Sequence, residues 1–95
     1  MELNKLRDQI DVIDTQLVSL FAKRMEICEK IAKYKRQNSM EVYDEMREKA
    51  VLDKVASLCD DKLTEPTVEL YRAIFAISRD LQSKNITENR EKENV

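Results

Sequence analysis

An arginine stands where the pattern asks for a core residue. From Leu6 the apolar positions run Leu6, Ile10, Ile13, Leu17 and Leu20, then Ile27, Ile31 and Tyr34. The steps alternate between four and three, the period of a long helix packed along a seam. The missing beat falls on Arg24. An unpaired charge in a packed interior costs several kcal/mol, so a chain that keeps one supplies a partner for it. Lys35 follows eleven residues later, about three helical turns on and on roughly the same face. Two cations on a core-facing stripe point to a buried anion. For Arg24 that anion is either a carboxylate across an interface or a bound ligand. Lys35 alone also reads as an exposed cation near a helix C-terminus, where positive charge is favoured.

Three more groups belong to the same question. Arg7 precedes Arg24 by seventeen residues, about 25 Å of helix axis, so one small ligand cannot touch both within one chain. Arg7 is either a solvated charge in the opening turns or reaches the site of a second, antiparallel chain. Asp44, Arg47 and Glu48 are spaced so that they either pair with one another on a helix or face a ligand together. Ser78 and Gln82 extend the stripe of Tyr71 and Phe75. They either turn inward, where they need hydrogen-bond partners, or mark a helix end turning to solvent. With no His, and with Cys28 and Cys59 outside any C-x-x-C spacing, neither a transition-metal site nor a disulfide framework is expected. The chemistry that this set suits is the binding and orientation of an anion by fixed donors.

The elements that must position these groups are helices. The chain of 95 residues has no Gly, one Pro and no Trp, a composition that favours an all-α domain. The first helix is expected from Leu3 to Gln37, followed by a polar loop over 37–41. Asp44 is the expected N-cap of a second helix ending at Asp60–Lys62. Thr64 is the expected N-cap of a third, with Pro66 tolerated in its first turn. The domain is expected to span residues 1–83, and residues 84–95, charged and poorly periodic, read as a disordered tail. A first helix of 35 residues would be about 50 Å long, whereas a compact domain of this size has a radius of gyration near 13 Å. Two short helices cannot cover its seam, so a symmetric homodimer is the simplest supplier of the rest.

Net charge is −2, with acidic and basic residues interspersed, which gives no bias toward nucleic acid or membrane surfaces. No apolar run approaches the ~20 residues of a membrane span. The start Met-Glu-Leu-Asn-Lys lacks a signal-peptide pattern, so the expected location is the cytoplasm.

Taken in order, these residues resemble the all-helical chorismate mutases, the AroQ class. The pieces are Leu6-Arg7-x-x-Ile10-Asp11-x-Ile13-Asp14, Arg24, Ile31-Ala32-x-x-Lys35, Asp44-x-x-Arg47-Glu48 and Ser78-x-x-x-Gln82. Each is weak alone; together, at these spacings from Leu3 to Gln82, they are specific. The resemblance implies an intertwined dimer of three-helix chains with the long first helices as its spine. It implies a site built mainly from one chain, with Arg7 donated by the other. Arg7 and Arg24 would clamp carboxylates, and Lys35 would meet a carboxylate and the ether oxygen of chorismate. Gln82 would donate to that ether oxygen, and Glu48 would accept from the ring hydroxyl. Asp44 would help orient it, Arg47 would flank the ring and Ser78 would touch a carboxylate. No cofactor or metal is implied, because chorismate becomes prephenate by an intramolecular rearrangement. Another shikimate-pathway enzyme is a further partner this resemblance leaves room for.

Two other functions use a similar scaffold: a lyase that removes pyruvate from isochorismate, and a non-catalytic helical dimer that serves as a regulatory or partner-binding subunit. The complete set of Glu48, Ser78 and Gln82 leans toward the mutase. Two departures from the family pattern stand out. Arg79 occupies a place expected to be apolar, pointing either outward or into the pocket as a further cation, and no proline precedes Asp44. Gln82 is a neutral donor that needs no protonation, so activity is expected across neutral pH. Initial rates against pH test this, and a rate at pH 7.5 that is a small fraction of the rate at pH 5 overturns it.

Overall fold

The computed structural model describes the backbone of residues 2–93 and the side chains of residues 2–84. The chain folds as α1 (Glu2–Gln37), α2 (Glu45–Leu58), a 3₁₀ turn (Asp61–Leu63) and α3 (Thr64–Glu93). Among the described residues there is no strand. The all-helical, three-helix reading is correct.

Helix α1 persists for 36 residues because no Gly or Pro interrupts it. Glu2 in its first turn and Lys35 and Arg36 in its last match the helix dipole at each end. Its end is a Schellman turn. The Met40 amide donates to the Lys35 carbonyl at 2.8 Å and the Ser39 amide to that of Arg36 at 3.4 Å. This closure needs a left-handed residue, and Ser39 supplies it at φ 55°. Glycine usually fills that position, and this chain has none. The turn folds the connection back over the end of α1, where the Lys35 ammonium donates to the Val42 carbonyl at 3.4 Å.

Helix α2 opens as expected. Asp44 is extended, at φ −133° and ψ 91°, and its carboxylate accepts from the Arg47 amide at 2.9 Å. The start of α3 differs from expectation. Thr64 is already helical, and its hydroxyl donates back to the Asp60 carbonyl at 3.4 Å instead of capping a first-turn amide. The 3₁₀ turn before it, closed by Leu63 N–H to Asp60 O at 2.8 Å, delivers the chain in helical register and leaves no separate cap. The backbone of the expected tail also differs, since α3 runs on to Glu93. No Gly or Pro lies between Ser83 and Glu93 to stop it. Asn94, Val95 and the side chains from Asn85 onward, all within the expected tail, lie outside the described residues.

The interior of a single chain is small. Among the described residues the buried apolar side chains are Ala32, Val55 and Phe75, with Tyr71 edge-on to Phe75 at 6.1 Å between ring centres. Every residue from Glu2 to Lys23 is exposed. The seam of α1 stands open, with Ile10 54% exposed and Leu20 62%. The chain measures 59 × 31 × 15 Å with a radius of gyration of 17.3 Å, against about 13 Å for a compact chain of this length. The site therefore sits where α1 is covered, its C-terminal half against α3 and the loop that leads into α2.

Ser39→Gly is expected to stabilise the chain by up to about 1 kcal/mol, because glycine removes the left-handed cost that a Cβ incurs, less its own unfolded-state entropy. A denaturant midpoint that falls in the variant contradicts this account of the turn.

Candidate functional site

One cleft, between the second half of α1, the 38–44 loop, the start of α2 and the middle of α3, brings most of the singled-out residues together. Arg24, Lys35, Asp44, Arg47, Glu48, Ser78 and Gln82 all line it. Arg7 does not. It is exposed near the start of α1, about 25 Å up the helix from Arg24. Four cations (Arg24, Lys35, Arg47 and Arg79) face two carboxylates (Asp44 and Glu48) in this cleft, a local excess of two positive charges on a chain whose net charge is −2.

Arg24 is half-buried, and among the described residues no carboxylate pairs with it. Its guanidinium carbon lies 5.6 Å from the ring centre of Tyr71 and 5.5 Å from that of Phe75, and Nη1 approaches Cys28 Sγ at 3.7 Å. The two aromatic rings support the charge from beneath and leave its hydrogen-bonding fork open to an anion. The apolar stripe of α3 thus explains how a cation survives at a seam position.

Lys35 is held from the loop side. Besides the Val42 carbonyl, its ammonium reaches Asp44 Oδ2 at 3.9 Å, and its side chain is only 17% exposed. Asp44 therefore does two things, capping α2 through Oδ1 and drawing Lys35 with Oδ2. Gln82 projects from α3 and donates through Nε2 to the Cys28 carbonyl of α1 at 3.2 Å. That acceptor fixes which end of the amide is nitrogen and leaves its second N–H for another partner. Ser78 is buried one turn before it.

The local pairing of Asp44, Arg47 and Glu48 does not form. Glu48 instead accepts from Arg79 on α3, whose Nη1 donates to both carboxylate oxygens, at 2.6 Å to Oε1. Arg79 also lies 5.3 Å from the ring centre of Tyr43. The hydrogen bond to Glu48 raises the Arg79 pKa above the ordinary arginine value, while burial pulls the other way. Arg79 thus points into the cleft. Its place beside Ser78 marked it in the sequence, but nothing local could name a partner 31 residues away. Cys28 and Cys59 are free, and both are partly buried.

A helical cleft with an excess of cations and an anchored amide donor, and with no nucleophile–base pair among its described residues, suits a protein that binds a small anion without covalent chemistry. The comparisons name the family. Residues 6–83 match the family described as chorismate mutase type II. The chain is 25% identical over 93 residues to the chorismate mutase of Methanocaldococcus jannaschii, covering 96% of this chain and 94% of that protein. It is 42% identical over 50 residues to the T-protein of Haemophilus influenzae, covering 53% of this chain and 13% of that protein. It is 29% identical over 76 residues to the 3-dehydroquinate dehydratase of Pyrobaculum aerophilum, covering 80% of this chain and 25% of that protein. No solved structure gives a match. The chain belongs to the chorismate mutase type II family, and its activity is that of a chorismate mutase, an isomerase. Among the described residues no helix is long and apolar enough to cross a membrane.

Arg24→Met is expected to change folding stability by no more than about 1 kcal/mol, the worth of a cation over aromatic rings at an open site. The same change is expected to weaken binding of a cyclic dicarboxylate by about ten-fold or more, because the fork is lost. Denaturant titration and calorimetry check the two halves separately. Unchanged dicarboxylate binding removes Arg24 from the anion site.

Proposed function

We propose that the cleft binds the chorismate dianion in its compact, pseudo-diaxial form and lowers the barrier to prephenate through orientation and fixed charge. The single observation that carries this reading is the meeting of Arg24, Lys35 and Gln82 in one net-cationic cleft. In this scheme Arg24 and Arg7 of a second copy clamp carboxylates, each with parallel hydrogen bonds. Lys35 meets a carboxylate and the ether oxygen. Gln82 donates its free N–H to the same ether oxygen, on which negative charge develops as the C–O bond breaks and the new C–C bond forms. Glu48 accepts from the ring hydroxyl, with Asp44 steadying the approach. Arg47 flanks the ring, and Ser78 touches a carboxylate. No proton changes hands and no covalent intermediate forms. Holding the reacting ends together supplies the orientation, and the preorganised donors supply the stabilisation of the transition state.

The second copy belongs to the same proposal. The open seam of α1, exposed from Glu2 to Lys23, supports an intertwined homodimer in which each first helix covers the other. In that arrangement Arg7 completes the neighbouring site. The cytoplasm is the proposed location, and the two free cysteines fit a reducing compartment. Residues 84–95 are taken as a charged extension beyond the domain of residues 1–83. Another enzyme of the same pathway is the proposed further partner. Support for it comes from the 3-dehydroquinate dehydratase relative, which resembles this chain over a quarter of its own length. Removal of pyruvate from isochorismate, and a non-catalytic helical dimer serving as a regulatory or partner-binding subunit, are not favoured by the family match.

The test is loss of chorismate absorbance with products identified, run on the native chain, Lys35→Ala, Arg7→Ala and a refolded mixture of the two variants. Each variant alone is expected to lose about 10²–10³ in kcat, as for one preorganised donor. The mixture is expected to regain roughly a quarter of native activity, because half the dimers then hold one intact site. Without that recovery Arg7 does not act in trans. Salicylate and pyruvate from isochorismate, with little prephenate from chorismate, would move the assignment to the lyase.

A further inference from the structure

Arg79 is the one cation of the cleft that this scheme leaves without a role. It joins three elements. Its backbone is on α3, its Nη1 donates to both oxygens of Glu48 on α2, and its guanidinium lies over Tyr43 in the loop before α2. The pair sits at the rim, with the Arg79 side chain 42% exposed and that of Glu48 25%. An ion pair this open adds little to stability, so its effect is geometric. A glutamate on three rotatable bonds reaches many positions, and a guanidinium that spans both carboxylate oxygens selects one of them. A single nitrogen occupies one lone pair on each oxygen, and a carboxylate has about four acceptor sites, so acceptors remain for a hydroxyl. Arg79 also offsets the charge of Glu48. Without it the cleft would hold three cations against two carboxylates, and one of those carboxylates would face a dianion uncompensated.

We propose that Arg79 is a positioning residue that holds the Glu48 carboxylate, together with the Tyr43 segment, where it accepts the ring hydroxyl of the substrate. The proposal rests on the assignment of Glu48 to that hydroxyl. Arg79 itself acts through Glu48 and does not touch the reacting atoms. The hydroxyl contact is present in the bound substrate and in the transition state alike, so its loss falls mainly on KM.

The experiment is a double-mutant cycle on the full chain, with steady-state kinetics on chorismate for Arg79→Met, Glu48→Gln and the double variant, and circular dichroism to confirm folding. Arg79→Met is expected to raise KM about ten-fold with kcat within about three-fold of native. In the Glu48→Gln background the same change is expected to move KM by less than about two-fold, because the residue it positions is already gone. Arg79→Lys, which keeps the charge but not the planar guanidinium, is expected to fall between the two, and it replaces Arg79→Met in the cycle if that variant does not fold. Equal losses in both backgrounds mean a general structural role and overturn the proposal. A native KM in Arg79→Met, with Glu48→Gln impaired, overturns it and leaves Glu48 in the site. Native kinetics in Glu48→Gln overturn both.

Discussion

A first helix with a longer apolar seam than its own chain can cover is the constraint from which the rest of this structure follows. Helix α1 runs 36 residues, and α3 and the loop before α2 shelter only its C-terminal part. The first 22 residues of that helix, Glu2–Lys23, are exposed, although their apolar side chains keep the spacing of a packed stripe. Burial of such side chains is the main favourable term in folding. A chain that leaves this many in water gains stability when they are covered. The proposed dimer supplies that helix and, in the same step, the distant Arg7. Under that proposal, assembly and site formation are one event.

The covered half of α1 shows how cations can be kept close together without collapsing onto carboxylates. Arg24 rests on the rings of Tyr71 and Phe75. Lys35 is turned by a loop carbonyl and by a carboxylate already engaged in capping α2. Each support is weaker than a direct, fully formed salt bridge, and each leaves donors unspent. A buried pair with ideal geometry would have neutralised the charge that the proposed dianion meets. The Schellman turn at Ser39 belongs to the same design, since it is the reversal that brings Val42 and Asp44 back over Lys35.

The reaction class explains why so little titrating chemistry is on view. An intramolecular rearrangement needs the two reacting ends held together and the developing charge met by donors that do not have to move. In the proposed scheme Gln82 is such a donor, its amide anchored on one side by the Cys28 carbonyl.

Much of this was written locally. The three helices, the loop after Gln37, the Asp44 cap and the break in the seam at Arg24 follow from periodicity, capping and the absence of glycine, all of which act within a few residues. Spacing placed the residues of the cleft on particular helix faces but left each with an alternative, and it was the family resemblance that drew them together as a set. One local expectation failed where a neighbouring element intervened, at Thr64, where the 3₁₀ turn took over the role of the cap, and of the two readings left open for Asp44, Arg47 and Glu48 the mutual pairing did not form. Tertiary packing decided which cation meets which carboxylate. Arg79 and Glu48 are 31 residues apart, and Lys35 and Asp44 sit on opposite sides of a turn. Such pairs depend on how α2 lies across α3 and α1, and helical spacing within one element carries no information about that angle.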